Sequence, residues 1–188
     1  MITEKDFFND FDGHNDAYST YMLIDVKPED IINVLNEIDP DMCVGSGVIS
    51  ETARSVSFEI CNKSPEFIQK ITEKLHCTGF ADTGSWNDAP HFVAYKNGEE
   101  YNNFTAEWTD DGPSKNCYDT FDEEYDEEYE TDETYEEFCK RIPDEDAFWD
   151  IDILITDNET GETYHCGEGL LEYDDCLYFR DLVEKHSA

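Results

Sequence analysis

The chain predicts an α+β fold. Two segments with apolar residues at helical spacing, each opened by a proline, alternate with short β-rich runs, one of them strictly alternating. Hydrophobic residues make up 38% and aromatics 14%, with 12 Phe and 11 Tyr. That apolar mass can build a core, which separates the chain from disordered acidic sequences. Its 188 residues suffice for one substantial domain or two small ones.

Ala17 to Val26 is apolar and β-rich, a first strand. Pro28 then opens a helix with Glu29 and Asp30 in its first turn, where acids suit the helix dipole. Ile31, Val34, Leu35 and Ile38 form its apolar stripe, and Pro40 ends it. Met42 to Ser50 and Ser55 to Asn62 read as paired strands; the second sets Val56, Phe58 and Ile60 against Ser55, Ser57 and Glu59. Ser64-Pro65 supplies an N-cap and a first-turn proline for a second helix. Phe67, Ile68, Ile71 and Leu75 are its buried stripe, and Gly79 is its expected stop. His91 to Tyr95 is the next strand. This β-α-β-β-α-β order resembles the ferredoxin-like split motif, a scaffold that hosts many unrelated activities.

Asn97-Gly98 supplies the positive φ angles of a tight hairpin turn. Tyr101 to Trp108 follows as a strand with Phe104, Ala106 and Trp108 on one side. Asp110-Asp111-Gly112-Pro113 breaks the pattern, dividing a ferredoxin-like α+β domain (1–109) from a strongly acidic α+β region (110–188). In that region Ile151, Ile153 and Ile155 alternate with Asp150, Asp152 and Leu154, and a turn at Asp157 to Gly161 leads to a partner strand at Glu162 to Cys166. A helix from Asp174 to Lys185, carrying Leu177, Tyr178, Arg180 and Leu182, closes the chain.

Charge is the dominant feature. The chain carries 48 acids against 12 Lys and Arg, a net charge of −36. Small domains are comfortable at a magnitude of roughly 2–8, and larger loads oppose compaction by self-repulsion. Residues 99–188 hold 31 of the acids and only 5 bases. Twelve acids fall between Asp119 and Glu137 with no base among them: Asp119, Asp122, Glu123, Glu124, Asp126, Glu127, Glu128, Glu130, Asp132, Glu133, Glu136 and Glu137. Tyr118, Phe121, Tyr125 and Tyr129 are spaced for one helix face, and Tyr135, Phe138 and Ile142 resume that rhythm after an interruption near Asp132.

A helix over 118–142 would hold this aromatic stripe down, Tyr125 and Tyr129 included, and turn the carboxylates outward. Its acids would fall about one per ~2.4 Å of axis at 1.5 Å rise per residue. Duplex DNA carries one phosphate per ~1.7 Å of axis, or ~3.4 Å per strand, so the spacing is phosphate-like. Eight like-charged i,i+4 pairs would oppose that helix by about 2–4 kcal/mol, a penalty that a basic partner reverses.

Motifs for catalysis are missing. No Walker A pattern occurs, and Gly45-Ser46-Gly47 lacks the third glycine of a dinucleotide site. No Cys-x-x-Cys pair is present, His76-Cys77 and His165-Cys166 lack companions at zinc spacing, and neither Asp10–Gly13 nor Asp157–Gly161 keeps EF-hand register. Among 48 acids, a pair such as Asp150 and Asp152 carries no specificity as acid and base. The reading is therefore a non-enzyme with no cofactor and no metal site. No apolar run approaches the ~20 residues of a membrane span, and no basic-then-apolar leader opens the chain. Seven Cys without close pairing then read as reduced thiols, and the expected location is the cytoplasm.

By composition and charge layout the chain resembles the acidic DNA-mimic inhibitors that phages and mobile elements use against restriction and CRISPR systems. The resemblance implies a basic nucleic-acid-binding protein as partner, a nuclease or effector complex, with no direct nucleic-acid contact and no membrane. The twelve acids from Asp119 to Glu137 are the expected contact residues. Two alternatives are an immunity protein that neutralises a basic toxin nuclease, and a small regulatory enzyme or ligand sensor built on the first half.

Overall fold

The computed structural model describes residues 1–10, 17–83, 91–109, 112–117 and 134–188, with backbone alone at 167–170. Along the chain these form α1 (Glu4–Phe7), β1 (Tyr18–Ile24), α2 (Pro28–Ile38), β2 (Val44–Ile49), β3 (Ser55–Cys61), α3 (Phe67–Leu75), β4 (Thr78–Thr83), β5 (Phe92–Lys96) and β6 (Glu99–Glu100). Then come β7 (Phe104–Trp108), β8 (Ser114–Asn116), α4 (Tyr135–Arg141), a 3-10 turn (Asp144–Asp146), β9 (Phe148–Asp157), β10 (Thr163–Leu171) and α5 (Tyr173–His186). The fold is α+β, and its chain divides into two compact units. The first is Met1–Phe104 with Thr156–Tyr164; the second is Thr105–Ile155 with His165–Ala188. No helix among the described residues is long and apolar enough to cross a membrane.

The first unit is built on a six-stranded sheet in the order β2-β3-β1-β4-β5-β6, every neighbouring pair antiparallel. Helix α2 runs as its sequence implies, with Pro28 at its first position, and buries Ile31, Ile32, Val34 and Leu35. With Ile68 and Ile71 of α3 these residues cover one face of the sheet, meeting Tyr21, Leu23, Val56, Phe58 and Ile60. Tyr21 stacks on Phe58 with centroids 5.6 Å apart. The opposite face is covered too. Phe80 and Phe92 pack with Tyr101, Phe104 and Tyr164 at centroid distances of 5.5–6.3 Å.

Gly79 does not stop the second helix: α3 ends at Leu75, and His76 takes the left-handed conformation that closes it. Nor does Ser64-Pro65 open it at its first turn; they form the turn before Phe67. Gly79 instead lies in β4, a strand not anticipated in Thr78–Thr83, whose Gly and Asp weaken the β signal. A Cβ at Gly79 would stand 2.7 Å from both Ile68 Cδ1 and Leu23 Cδ2, so glycine here lets helix and sheet approach closely. Because β4 intervenes, Phe92–Lys96 is the fifth strand. Tyr101 to Trp108 is not one strand either, since β7 begins only at Phe104 and enters a different sheet.

The second unit contains a sheet in the order β10-β9-β7, with β8 pairing β9 antiparallel through Ser114↔Asp150 and Asn116↔Phe148. Ile151, Ile153 and Ile155 are all buried, as their alternation implies. Helix α5 buries Cys176, Phe179 and Val183, while Leu177, Tyr178 and Leu182 are only half-buried. The continuous helix expected over 118–142 is overturned at Thr134, whose extended backbone (φ −80°, ψ 157°) makes it the N-cap of α4.

Candidate functional site

Acidic groups of the second unit are held on a small framework around α4. Thr134 accepts from the Glu137 backbone N–H at 3.3 Å, and Glu137 Oε2 accepts from the Thr134 backbone N–H at 2.9 Å, a reciprocal capping box. Phe138 is fully buried with Cys117 and Ala147, while Tyr135, Cys139 and Ile142 pack alongside. The stripe that the sequence assigned to Tyr135, Phe138 and Ile142 therefore does face inward. Lys115, on β8, ties the far end of this framework: its Nζ donates to the Ile142 carbonyl and lies 3.0 Å from Asp144 Oδ1. Trp149 Nε1 donates to the Asp144 carbonyl at 3.2 Å. Exposed Asp144, Glu145 and Asp146 follow directly in the 3-10 turn.

Of the twelve expected contact residues, Glu136 and Glu137 lie on α4. Asp119, Asp122, Glu123, Glu124, Asp126, Glu127, Glu128, Glu130, Asp132 and Glu133 lie outside the described residues. Glu137 serves the cap, and Glu136 pairs with Lys140 at 2.6 Å on the exposed face, which holds its carboxyl below the ordinary range. Over its full sequence the second unit has 26 acids and 5 bases, net −21, against 22 acids and 7 bases in the first, net −15. Two of those five bases, Lys115 and Lys140, are already paired with acids of their own unit.

The first unit contains polar clusters that the sequence did not suggest. Glu162 is 6% exposed and accepts hydrogen bonds from Ser55 Oγ at 2.6 Å, Thr52 Oγ1 at 2.6 Å and Ser50 Oγ at 3.2 Å. Burial raises its pKa, but those hydroxyls and the Arg54 charge outweigh burial, leaving it below the usual range. Tyr101 donates to Asp157 at 2.5 Å, and Tyr164 donates to Asp82. Burial foremost, then the adjacent Asp157 carboxylate, pushes the Tyr101 hydroxyl up. These partners lie 56 to 112 residues apart, so no local pattern could have signalled them. Every buried described side-chain polar atom has a hydrogen-bond partner. Glu162, Asp157 and Asp82 therefore act as anchors, each accepting from at least one hydroxyl.

One arrangement in the second unit resembles part of a catalytic relay. His165 Nδ1 lies 3.0 Å from Asp152 Oδ1, and Thr109 Oγ1 donates to Asp152 Oδ2 at 2.8 Å. Asp152 therefore joins His165 to Thr109 across the sheet. Among the described residues, no group of three or more His, Cys, Asp and Glu is placed to hold a metal ion. Comparison with protein-family models, with curated proteins and with solved structures found no match for this chain.

Proposed function

We propose that the protein is an acidic nucleic-acid mimic that occupies the basic groove of a DNA- or RNA-binding effector and blocks access of nucleic acid. One observation carries the reading: twelve acids and no base lie between Cys117 and Cys139, in the unit with the greater excess of negative charge. Few internal cations are left to neutralise that stretch, since Lys115 and Lys140 are engaged locally. Self-repulsion makes such a stretch costly in isolation and favourable against Lys and Arg arrays that normally grip phosphate. Exposed Asp144, Glu145 and Asp146, beyond α4, extend the acidic region. The proposed setting is the cytoplasm of the cell in which the effector acts.

The test is competition. A basic nuclease or effector captured on the protein and eluted by a salt gradient is titrated with labelled duplex, with and without the protein. Inhibition should weaken steeply as salt rises. Reversing Glu123, Glu124, Glu127 and Glu128 to Lys should weaken inhibition by at least ten-fold and flatten its salt dependence. Inhibition that survives all four reversals removes this stretch as the mimic.

A further inference from the structure

Cys117 and Cys139 bracket the acid run in sequence and meet in space. Cys117 follows β8 directly, where Asn116 pairs with Phe148 of β9. Cys139 sits one helical turn beyond Tyr135 on α4, so both side chains project from one helix face. Cys117 is 1% exposed and packs with Phe138 and Ala147, with Tyr135 and Cys139 against the same cluster. The Tyr135 hydroxyl accepts from the Cys117 backbone N–H at 3.1 Å, fixing the first turn of α4 to the end of β8. Cys139, one turn along α4 from Tyr135, thus packs on the same small cluster that buries Cys117. Neither is in a disulfide.

From this geometry we infer that Cys117 and Cys139 form a reversible intramolecular disulfide under a peroxide or disulfide oxidant, closing a covalent ring around the acidic stretch. Cys139 is half-buried and Cys117 fully buried, so the oxidant reaches Cys139 first. With hydrogen peroxide, the Cys139 sulfur attacks one peroxide oxygen; the O–O bond breaks, leaving a sulfenic acid and water. The Cys117 sulfur then attacks the Cys139 sulfur. An S–S bond forms, the S–O bond breaks, and hydroxide leaves with the Cys117 proton as a second water. Two thiols have lost two electrons and two protons, and one peroxide has become two waters. An external thiol reverses the link by attack on either sulfur.

Burial, with the neighbouring Cys139 thiol adding to it, pushes the Cys117 thiol up to about 11. Its closure step therefore quickens as pH rises, while proximity replaces the encounter that an outside thiol would require. Capping at Thr134 and the Lys115 tie to Ile142 hold the two partners within reach before oxidation begins. All twelve acids from Asp119 to Glu137 fall inside the ring. The link is a property of the two thiols and stands whether or not the acidic stretch binds a basic protein.

The test uses the full chain, reduced, freed of reductant and exposed to hydrogen peroxide or glutathione disulfide at pH 8. Remaining thiols are alkylated and the protein is mapped by mass spectrometry without reduction. Two of the seven thiols should be lost, with the Cys117–Cys139 cross-linked peptide as the major product in a monomer. Cys139→Ser, at a half-buried position, should leave Cys117 alkylatable under the same exposure. Cys43→Ser removes the exposed cysteine and should leave the cross-link at wild-type yield. A Cys43-linked dimer as the main product would overturn the inference. So would Cys139 accumulating as sulfinic acid while Cys117 stays alkylatable.

Discussion

Glu162 carries a negative charge in a nearly dry site because three hydroxyls converge on it. Its folded pKa lies below its unfolded one, so its stabilisation is present above the unfolded value, roughly 4.3, and is lost as pH falls through the folded value. Glu162→Gln should therefore cost about 1–3 kcal/mol at pH 7 in urea unfolding, and its deficit should shrink below about pH 4. A deficit independent of pH would mean that shape, rather than charge, holds the site. Gly47 makes a different kind of demand. A Cβ there would lie 2.6 Å from the Phe7 carbonyl oxygen, where β2 shifts register between Gly45 and Val48. Gly47→Ala should destabilise by about 1–3 kcal/mol in the same assay, as overpacking does. The Gly45-Ser46-Gly47 spacing was legible in the sequence, but its meaning was not. It serves a bulged edge strand against α1, with Ser46 at φ 54° donating its N–H to the Asn9 carbonyl.

At the scale of the element, α4 is the most informative piece. Seven residues do not make a stable isolated helix, so its cap and its buried Phe138 must carry it. Thr134→Ala removes the acceptor for the Glu137 N–H and should lower stability by about 0.5–2 kcal/mol, with faster amide exchange in the first turn of α4. Thr134→Ser should restore most of the loss; if it does not, the hydroxyl is not the stabilising group. The Thr-x-x-Glu signature was present in the sequence, yet a neighbouring run of acids and aromatics favoured one long helix across it. Strand β4 failed for the opposite reason. Its Gly79 and Asp82 look like loop residues until Gly79 meets Ile68 and Leu23, and Asp82 meets the Tyr164 hydroxyl. By contrast, α2 and β3 were readable nearly to the residue, because single-face burial prints its period directly on the chain.

For the whole molecule, a net charge of −36 sets how stability responds to salt. Raising ionic strength from 0.01 to 1 M shortens the screening length from roughly 30 Å to 3 Å. Self-repulsion then weakens, and Tm should rise by about 5–10 °C by differential scanning calorimetry, equivalent to a few kcal/mol for a chain of this size. Binding to a basic partner should move the other way, weakening over the same range. A Tm that is flat or falls with salt would mean that internal ion pairs such as Arg54–Asp25 outweigh repulsion among the acids.

The sequence by itself determined the α+β class, the alternating core of β3 and β9, the start and end of α2, and the concentration of acid in the second half. Each depends on near neighbours along the chain or on composition alone. Only the tertiary structure decided that Thr156–Tyr164 belongs with the first unit, where Glu162, Tyr164 and Asp157 find partners more than fifty residues away. It also decided that Cys117 and Cys139 are neighbours. Such pairings arise when the chain closes on itself, and hydroxyls, carboxylates and thiols at those separations leave no period to read.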